Sequence, residues 1–186
     1  MRLGVLVSGR GSNLEALLAA GISVALVISN RAGVRALEVA TEHGVPAIVL
    51  GRAGFADAGA RDGAIATALT DARIGLTVLA GYDQRLRPSY FAGFSGRTIN
   101  IHPSLLPAHG GAGMLGEAVH RAVLEAGDPE TGATIHEVTP ELDAGPILAQ
   151  VRVPVRPDDD IESLAARVRV EEHRLLVETI RSLGVG

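Results

Sequence analysis

The chain has 186 residues, 47% of them hydrophobic but only 3% aromatic, and a formal net charge of −4. This length suits one well-buried core, built here from Val, Leu, Ile and Ala, as in helices packed on a parallel sheet. The mild charge, without a block of Lys and Arg, argues against a polymeric nucleic-acid partner. The lack of cysteine excludes a disulfide, a thiolate nucleophile and a Cys-type zinc site. We therefore expect one α/β domain, residues 1–186.

The N-terminal sequence MRLGVLVSGRGSN contains one short apolar run that meets a glycine loop by residue 9. This run is too short for the apolar segment of a signal peptide, and no later segment reaches membrane-spanning length. The sequence therefore predicts a soluble cytoplasmic protein without a membrane partner.

In the first half of the chain, apolar runs alternate with helical patterns, which is typical of βα units. Strands are predicted at 2–8, 22–29, 46–50, 75–81 and 97–102. Helices are predicted directly after the loop at 8–11, at 34–44 and 56–73, and as a short helix within 87–94. This alternation favours an α/β fold with a parallel sheet.

The second half begins with a glycine-rich loop at 110–116 and a helix near 117–126. Two strand-like runs, 133–139 and 147–155, flank the polar corner PELDAGP. The chain then ends in a long amphipathic helix, for which we expect an Asp cap completed by Glu162 as a capping box.

The first βα turn reads SGRGSNL, residues 8–14. Its glycines allow a tight turn, and the amides that open the next helix form an anion site suited to a phosphate. The turn does not match a dinucleotide fingerprint, because Leu14 stands in place of the third glycine and the second strand ends in Ser29 and Asn30 without a ribose-binding acid. A monophosphate fits better, although a helix start whose glycines serve geometry alone remains the alternative.

Asn100 and His102 lie two residues apart at the end of a predicted strand, so both side chains face the same side. Pro103 and Pro107 restrict the backbone that follows. An amide donor beside an imidazole can stabilise an oxyanion and supply a proton. Either residue alone could equally be structural.

Asp143 lies in the loop after a later strand, beside Ala144, Gly145 and Pro146. A carboxylate there is expected to pair with His102 and raise the pKa of its imidazole, whereas the alternative is an ordinary turn Asp. The other histidines show no zinc-type spacing, so we predict no metal and interpret them as packing or supporting residues. They are His43, His109, His120, His136 and His173.

Together, SGRGSN, LAGY, INIHPSLLP and ELDAGP, in this order and at these spacings, resemble the phosphoribosylglycinamide formyltransferases, a family of folate-dependent transformylases of purine biosynthesis. The resemblance runs from about residue 2 to about residue 182. It implies a Rossmann-like three-layer sandwich with a mostly parallel sheet. It further implies direct transfer of a formyl group from 10-formyltetrahydrofolate to the amine of phosphoribosylglycinamide through a tetrahedral intermediate, with small-molecule substrates, no metal, and a monomer or homodimer.

The resemblance also implies roles for particular residues. The implied catalytic residues are Asn100, His102 as imidazolium, and Asp143. The residues implied to bind the ribonucleotide are Gly11, Ser12, Asn13, Arg169 and Glu172. The residues implied to bind the folate are Asp83, Gln84, Arg85, Leu86, Asn100, Thr139, Pro140, Glu141, Leu142 and Asp143.

The loop after LAGY departs from the family pattern of Met, a basic residue and two apolar residues, because it reads Asp83, Gln84, Arg85 and Leu86. Arg61 lies near the place of a folate-binding arginine but is offset from it. Three alternatives remain: a formyltetrahydrofolate deformylase, a methionyl-tRNA formyltransferase, and a non-catalytic nucleotide-binding module. The first two usually carry an additional domain, for which we expect no room here, and the third has no need of Asn100, His102 and Asp143 together.

Overall fold

Seven strands form one mixed sheet in the computed structural model, which describes residues 1–185. The strands are β1 Leu3–Val7, β2 Val24–Ser29, β3 Ala47–Val49, β4 Leu76–Leu79, β5 Arg97–His102, β6 Glu130–Glu137 and β7 Ile147–Pro154. Their order is β3-β2-β1-β4-β5-β6-β7. The first five are parallel, whereas β6 is antiparallel to both β5 and β7. The predicted α/β class and mostly parallel sheet are confirmed.

Helices cover both faces of the sheet and make three layers. They are α1 Ser12–Ala19, α2 Arg35–Glu42, α3 Ala58–Asp71, α4 Pro88–Gly93, α5 Glu117–Ala126 and α6 Ile161–Ser182. On one face, Leu17 of α1 and Leu176 of α6 pack in the same core as Val5 of β1. On the other face, Ile65 of α3 and Tyr90 of α4 pack in a second core with side chains of β1, β2 and β4. Apolar residues on both sides of the parallel strands explain why those strands read as continuous apolar runs.

Two details of the prediction are wrong. Helix α6 has a capping box, but Asp160 is the N-cap and Ser163, three residues on, completes the box in place of Glu162. Strand β6 begins at Glu130 rather than 133, because Gly132 belongs to the strand. A Cβ at Gly132 would lie 1.9 Å from the carbonyl oxygen of Val151 on β7, so the sheet itself requires glycine there.

The strand order places β1 and β4 side by side in the middle of the sheet. Chain connections leave in opposite directions from this pair, which opens a crevice at the carboxyl ends of the strands. The loops that follow β1, β4 and β5 all begin at this edge. The fold therefore gathers the polar residues at 8–13, 82–86 and 100–103 around one crevice.

Candidate active site

A cavity of about 940 Å³ occupies this crevice. The sequence-predicted site residues line it, with one exception. Those that line it are Gly11, Ser12, Asn13, Asp83, Gln84, Arg85, Leu86, Asn100, His102, Thr139, Glu141, Leu142, Asp143, Arg169 and Glu172. Pro140 does not line it; its carbonyl oxygen instead accepts a hydrogen bond from the guanidinium of Arg85 at 2.6 Å. That bond ties together the two segments that were expected to hold the folate.

The loop at one end of the cavity leads into helix α1. Gly11 has a left-handed backbone, φ 79° and ψ 19°, and a Cβ there would lie 2.7 Å from the Cα of Ala36. Only glycine allows this close packing of α1 on α2. The first amides of a helix have no partner within it, so the backbone at Ser12 and Asn13 can bind an anion. The buried Oδ1 of Asn13 also has no hydrogen-bond partner among the described residues.

Asn100 is held by a residue that the sequence did not single out. Asn100 of β5 lies directly opposite His136 of β6, and its Nδ2 lies 3.1 Å from His136 Nε2. His136 Nδ1 lies 2.8 Å from the carbonyl oxygen of Glu137, which makes Nδ1 the protonated nitrogen and Nε2 the acceptor. The amide of Asn100 therefore donates one N–H to His136 and keeps its second N–H for a ligand.

His102 is 3% exposed and is fixed by the loop that follows β5. Its Nε2 lies 2.8 Å from the carbonyl oxygen of His109. Because a carbonyl only accepts, Nε2 carries a proton, and Nδ1 is the atom available to a substrate. Asn100 and His102 thus reach the same cavity from alternate positions of one strand, as their spacing predicted.

The expected direct pair between Asp143 and His102 is wrong for this structure. Asp143 Oδ2 accepts a hydrogen bond from the backbone amide of Gly111 at 2.8 Å, and its Oδ1 lies 3.6 Å from Nε2 of His136. Asp143 also has a left-handed backbone, φ 51°, which is uncommon outside glycine and is most readily adopted by Asn and Asp. The turn between β6 and β7 therefore presents the carboxylate to His136 and Gly111, with His102 nearby.

The expected rise in the pKa of His102 is also wrong. Burial lowers the pKa of His102, and neither the carbonyl of His109 nor the charge of Asp143, which both act to raise it, reverses that effect. The sequence could not show how deeply the imidazole is buried. Burial thus favours a neutral His102 over the expected imidazolium.

The side chain of Asp83 binds residues at the ends of neighbouring strands. Its Oδ1 accepts hydrogen bonds from Ser8 Oγ at 3.0 Å, Asn30 Nδ2 at 2.8 Å and Gln84 Nε2 at 3.0 Å, while Oδ2 pairs with Arg31. Its backbone amide also donates to Ser8 Oγ at 2.9 Å. Burial acts to raise the pKa of Asp83, but the hydrogen bonds from Gln84, Asn30 and Ser8 outweigh it and lower the pKa. Asp83 thus joins the loops that follow β1, β2 and β4.

The apolar side of the cavity does not depend on the Met that the family usually has at position 83. Leu79, Leu86, Val138 and Leu142 line the cavity, and Leu142 is 45% exposed. Arg61 is 2% exposed and pairs with Asp62, so it is a core residue that supports the loop through a 3.2 Å hydrogen bond to Gln84. Arg61 is not among the residues that line the cavity, in keeping with its offset from the expected folate-binding position.

Helix α6 closes the end of the cavity next to α1 with Arg169 and Glu172. Burial raises the pKa of Glu172 to about 7, against the lowering effects of Asn13 and Arg169. His120 of α5, which sequence reasoning treated as packing, also lines the cavity, and its buried Nδ1 has no partner within residues 1–185. Burial, and then the charge of Arg169, lower the pKa of His120. The only sequence signal for it was its helical position after the glycine-rich loop.

Among residues 1–185, no cluster of three or more His, Asp or Glu side chains is placed to hold a metal ion. None of the helices described there is long and apolar enough to cross a membrane.

An amide donor, a histidine and a carboxylate around a crevice at the strand ends define an α/β enzyme of acyl-group transfer. The chain belongs to the formyl transferase family, whose model matches residues 1–180.

Known proteins of this family match nearly the whole chain. It is 38% identical over 180 residues to the phosphoribosylglycinamide formyltransferase of Haemophilus influenzae, covering 94% of this chain and 82% of that protein. It is 42% identical over 180 residues to the trifunctional purine biosynthetic protein adenosine-3 of Drosophila melanogaster, covering 92% of this chain but only 13% of that longer protein. The crystal structure of glycinamide ribonucleotide transformylase 1 from Symbiobacterium toebii superposes with a TM-score of 0.90 at 42% identity, covering 97% of this chain and 86% of that one.

Proposed function

We propose that this chain transfers the formyl group of 10-formyltetrahydrofolate to the amine of phosphoribosylglycinamide, a step of purine biosynthesis. The observation that carries the proposal is the position of Asn100, His102 and Asp143 in one cavity between a phosphate-type loop and an apolar loop. A volume of about 940 Å³ lies near the upper end of ordinary small-molecule sites and suits two substrates that meet in the middle.

The ribonucleotide half of the proposal rests on α1 and α6. The free amides at Ser12 and Asn13 suit the phosphate, because the start of a helix attracts an anion. Arg169 adds a positive charge on the same wall of the cavity. The unpartnered Oδ1 of Asn13 and the carboxyl group of Glu172 are acceptors suited to ribose hydroxyls. Together they supply an anion site and a hydroxyl site next to each other.

The folate half rests on the loops at 83–86 and 138–143. Leu86 and Leu142 offer apolar surface to a flat ring. The bond from Arg85 to the carbonyl of Pro140 holds the two loops at a fixed separation. In this proposal Asp83 and Gln84 contribute through their backbone, because their side chains are hydrogen-bonded to neighbouring strand-end residues and to Arg61.

In the proposed reaction, the glycinamide amine attacks the formyl carbon, and the carbonyl electron pair moves onto oxygen as the new C–N bond forms. The second N–H of Asn100 donates to that oxyanion. Neutral His102 accepts on its Nδ1 the proton that the amine loses and, as imidazolium, donates a hydrogen bond to the oxyanion. Collapse of the tetrahedral intermediate breaks the bond from carbon to N10 of the folate, and the proton ends on N10. The negative charge of Asp143 favours the imidazolium while it exists and orders a proton-carrying water.

We further propose that residues 1–186 act as one cytoplasmic domain, as a monomer or homodimer, on small molecules alone, without a polymeric nucleic acid, membrane or metal. This proposal is supported by the net charge of −4, by the lack of a block of Lys and Arg, and by the polar groups that surround the cavity.

The test is an assay that mixes the purified protein with 10-formyltetrahydrofolate and phosphoribosylglycinamide and follows tetrahydrofolate release. We expect release that depends on the ribonucleotide. Release without the ribonucleotide would identify a hydrolase of the folate instead. Release with formylatable methionyl-tRNA but not with phosphoribosylglycinamide would identify a tRNA formyltransferase, and no release with either acceptor would contradict the proposal.

A further inference from the structure

One short backbone segment, residues 109–111, holds both His102 and Asp143. The carbonyl oxygen of His109 accepts the hydrogen bond from His102 Nε2 at 2.8 Å. The amide of Gly111, two residues on, donates to Asp143 Oδ2 at 2.8 Å. The tautomer of the imidazole and the orientation of the carboxylate therefore depend on where this segment lies.

The first part of the same loop is anchored to the sheet. Thr134 Oγ1 on β6 donates to the carbonyl of Ser104 at 2.7 Å and accepts from the amide of Leu106 at 3.1 Å. Gln150 on β7 donates to the carbonyl of Leu106 at 2.9 Å. These bonds to the sheet end at Leu106, and within the loop Ser104 Oγ donates to the carbonyl of Ala108 at 2.6 Å. The segment at 109–111 therefore needs a separate anchor to the rest of the fold.

The side chain of His109 supplies that anchor. Its Nε2 lies 2.5 Å from Oδ2 of Asp128, which follows the C-terminal glycine of α5. The amide of Asp128 in turn donates to the carbonyl of Val123 in the last turns of α5 at 3.3 Å. His109 also has a left-handed backbone, φ 52°, which costs energy for a residue with a Cβ and needs contacts to hold it.

We propose that His109 and Asp128 form a positioning pair that fixes His102 and Asp143 through the backbone at 109–111. Neither member of the pair lines the cavity, so both act through the loop rather than on a substrate. The pair transmits the position of α5 to the two reacting side chains. The inference deepens the proposed function. Its turnover test rests on that function, whereas its NMR test does not.

The test compares Asp128→Ala, which removes the acceptor, with Asp128→Asn, which keeps an oxygen in its place. A matched control is Glu125→Ala, which removes an exposed carboxylate of α5 near the same end of the helix. For Asp128→Ala we expect turnover in the formyl-transfer assay to fall about tenfold to a hundredfold, with KM for both substrates within about twofold, because small displacements of reacting groups are costly. Asp128→Asn should keep most of the turnover, and Glu125→Ala should match the original protein.

A second readout does not depend on the reaction. In protein labelled with ¹⁵N-histidine, with the His102 signals assigned by comparison with His102→Gln, neutral His102 should carry its proton on Nε2. Asp128→Ala should give a mixture of both tautomers. Unchanged turnover and an unchanged tautomer, or a change confined to KM, would overturn the proposal.

If Asp128→Ala does not fold, His109→Asn replaces it, because Asn tolerates the left-handed backbone but is too short to reach Asp128. The same loss of turnover and of the single tautomer is expected, and a normal His102 in that variant would overturn the proposal. If the original protein transfers no formyl group at all, the proposed function fails, while the tautomer measurement still decides whether the pair positions His102.

Discussion

Two aspartates lie in loops that line the same cavity, but their oxygens are used differently. Asp83 accepts hydrogen bonds from Ser8, Asn30 and Gln84 and pairs with Arg31. Asp143 accepts one backbone hydrogen bond, from Gly111, and its other oxygen lies 3.6 Å from His136. A carboxylate has about four acceptor positions, so those of Asp83 are taken up within the protein while Asp143 keeps positions open. The comparison indicates that Asp83 is a structural junction and that Asp143 is available for chemistry.

The largest effect is expected at Asp143. Asp143→Asn keeps the size of the side chain and an acceptor for Gly111 but removes the negative charge. Turnover should fall by roughly two to four powers of ten, because a group that supports a positioned acid and base is lost. The melting temperature and ribonucleotide binding should change little. The pKa of His102, followed by NMR, should fall further, because the charge of Asp143 acts to raise it.

Two results would contradict this role of Asp143. Near-normal turnover in Asp143→Asn would show that Asp143 is a turn residue. A variant that unfolds would show that Asp143, like Asp83, is structural. His136→Gln separates these cases further, since it removes the ring between Asn100 and Asp143 without altering either one.

Asp83→Met gives the opposite pattern. The family pattern has a Met at this position, but the structure shows the carboxylate bonded to residues of two neighbouring loops, those that follow β1 and β2. Removing it leaves Ser8 and Asn30 with unpaired groups, which should lower the free energy of unfolding by about 2 kcal/mol. Urea denaturation measures this loss. A gain in folate affinity at unchanged stability would contradict this structural role of Asp83.

Glu172 provides a third acid, which is half-buried near the loop that opens α1. Its pKa is raised to about 7, so between about pH 4.5 and 7 the folded state holds a proton that the unfolded state has lost. Stability therefore falls as the pH rises through this window. Glu172→Gln should be more stable than the original protein by about 1 to 2 kcal/mol near pH 8 and nearly equal to it near pH 4.

Thermal melts across this range measure the difference, and Glu171→Gln is the control. Glu171 pairs with Arg174 on the outside of α6, so its loss should stabilise nothing. A pH-independent effect of Glu172→Gln would contradict the ionisation of a buried carboxyl group. The same variant should raise KM for the ribonucleotide, because the proposed acceptor for ribose is weakened.

The order of strands and helices was readable from the sequence because each parallel strand forms an apolar run and each helix has an amphipathic face. The prediction from sequence failed where the role of one residue depends on a contact with another residue that is distant along the chain. Gly132 was left outside the predicted strand. The contact that requires glycine there, with the carbonyl of Val151 on the next strand, cannot be seen in the local sequence. An Asp cap for helix α6 was predicted, but a box completed by Glu162 requires the N-cap at Asp159, whereas the N-cap is Asp160.

The candidate site shows the same limit. Asn100 and His102 could be paired from their spacing alone, since alternate residues of a strand share a face. His136 could not be found this way, because its contact with Asn100 depends on the register of the antiparallel pair β5 and β6. The pKa of His102 was misjudged because a sequence shows charges but not burial. The side-chain partners of Asp83 could not be predicted either, because Ser8 and Asn30 follow other strands.

The smallest effect is expected at Arg31, the exposed partner of Asp83. Its side chain is 57% exposed, and ion pairs of that kind contribute about 1 kcal/mol or less. Arg31→Ala should therefore lower the free energy of unfolding by less than about 1 kcal/mol, and high salt should shrink this difference because it screens the pair. Urea unfolding at low and high ionic strength, in parallel with Asn30→Ala, measures both effects. The Asn30 variant removes a more shielded donor to the same carboxylate and should cost more, with little salt dependence. If Arg31→Ala lowered the free energy of unfolding as much as Asp83→Met, the ion pair would hold Asp83 in place rather than the shielded hydrogen bonds. Asp83 and Asp143 would then differ in the ion pair and not in the number of hydrogen bonds they accept.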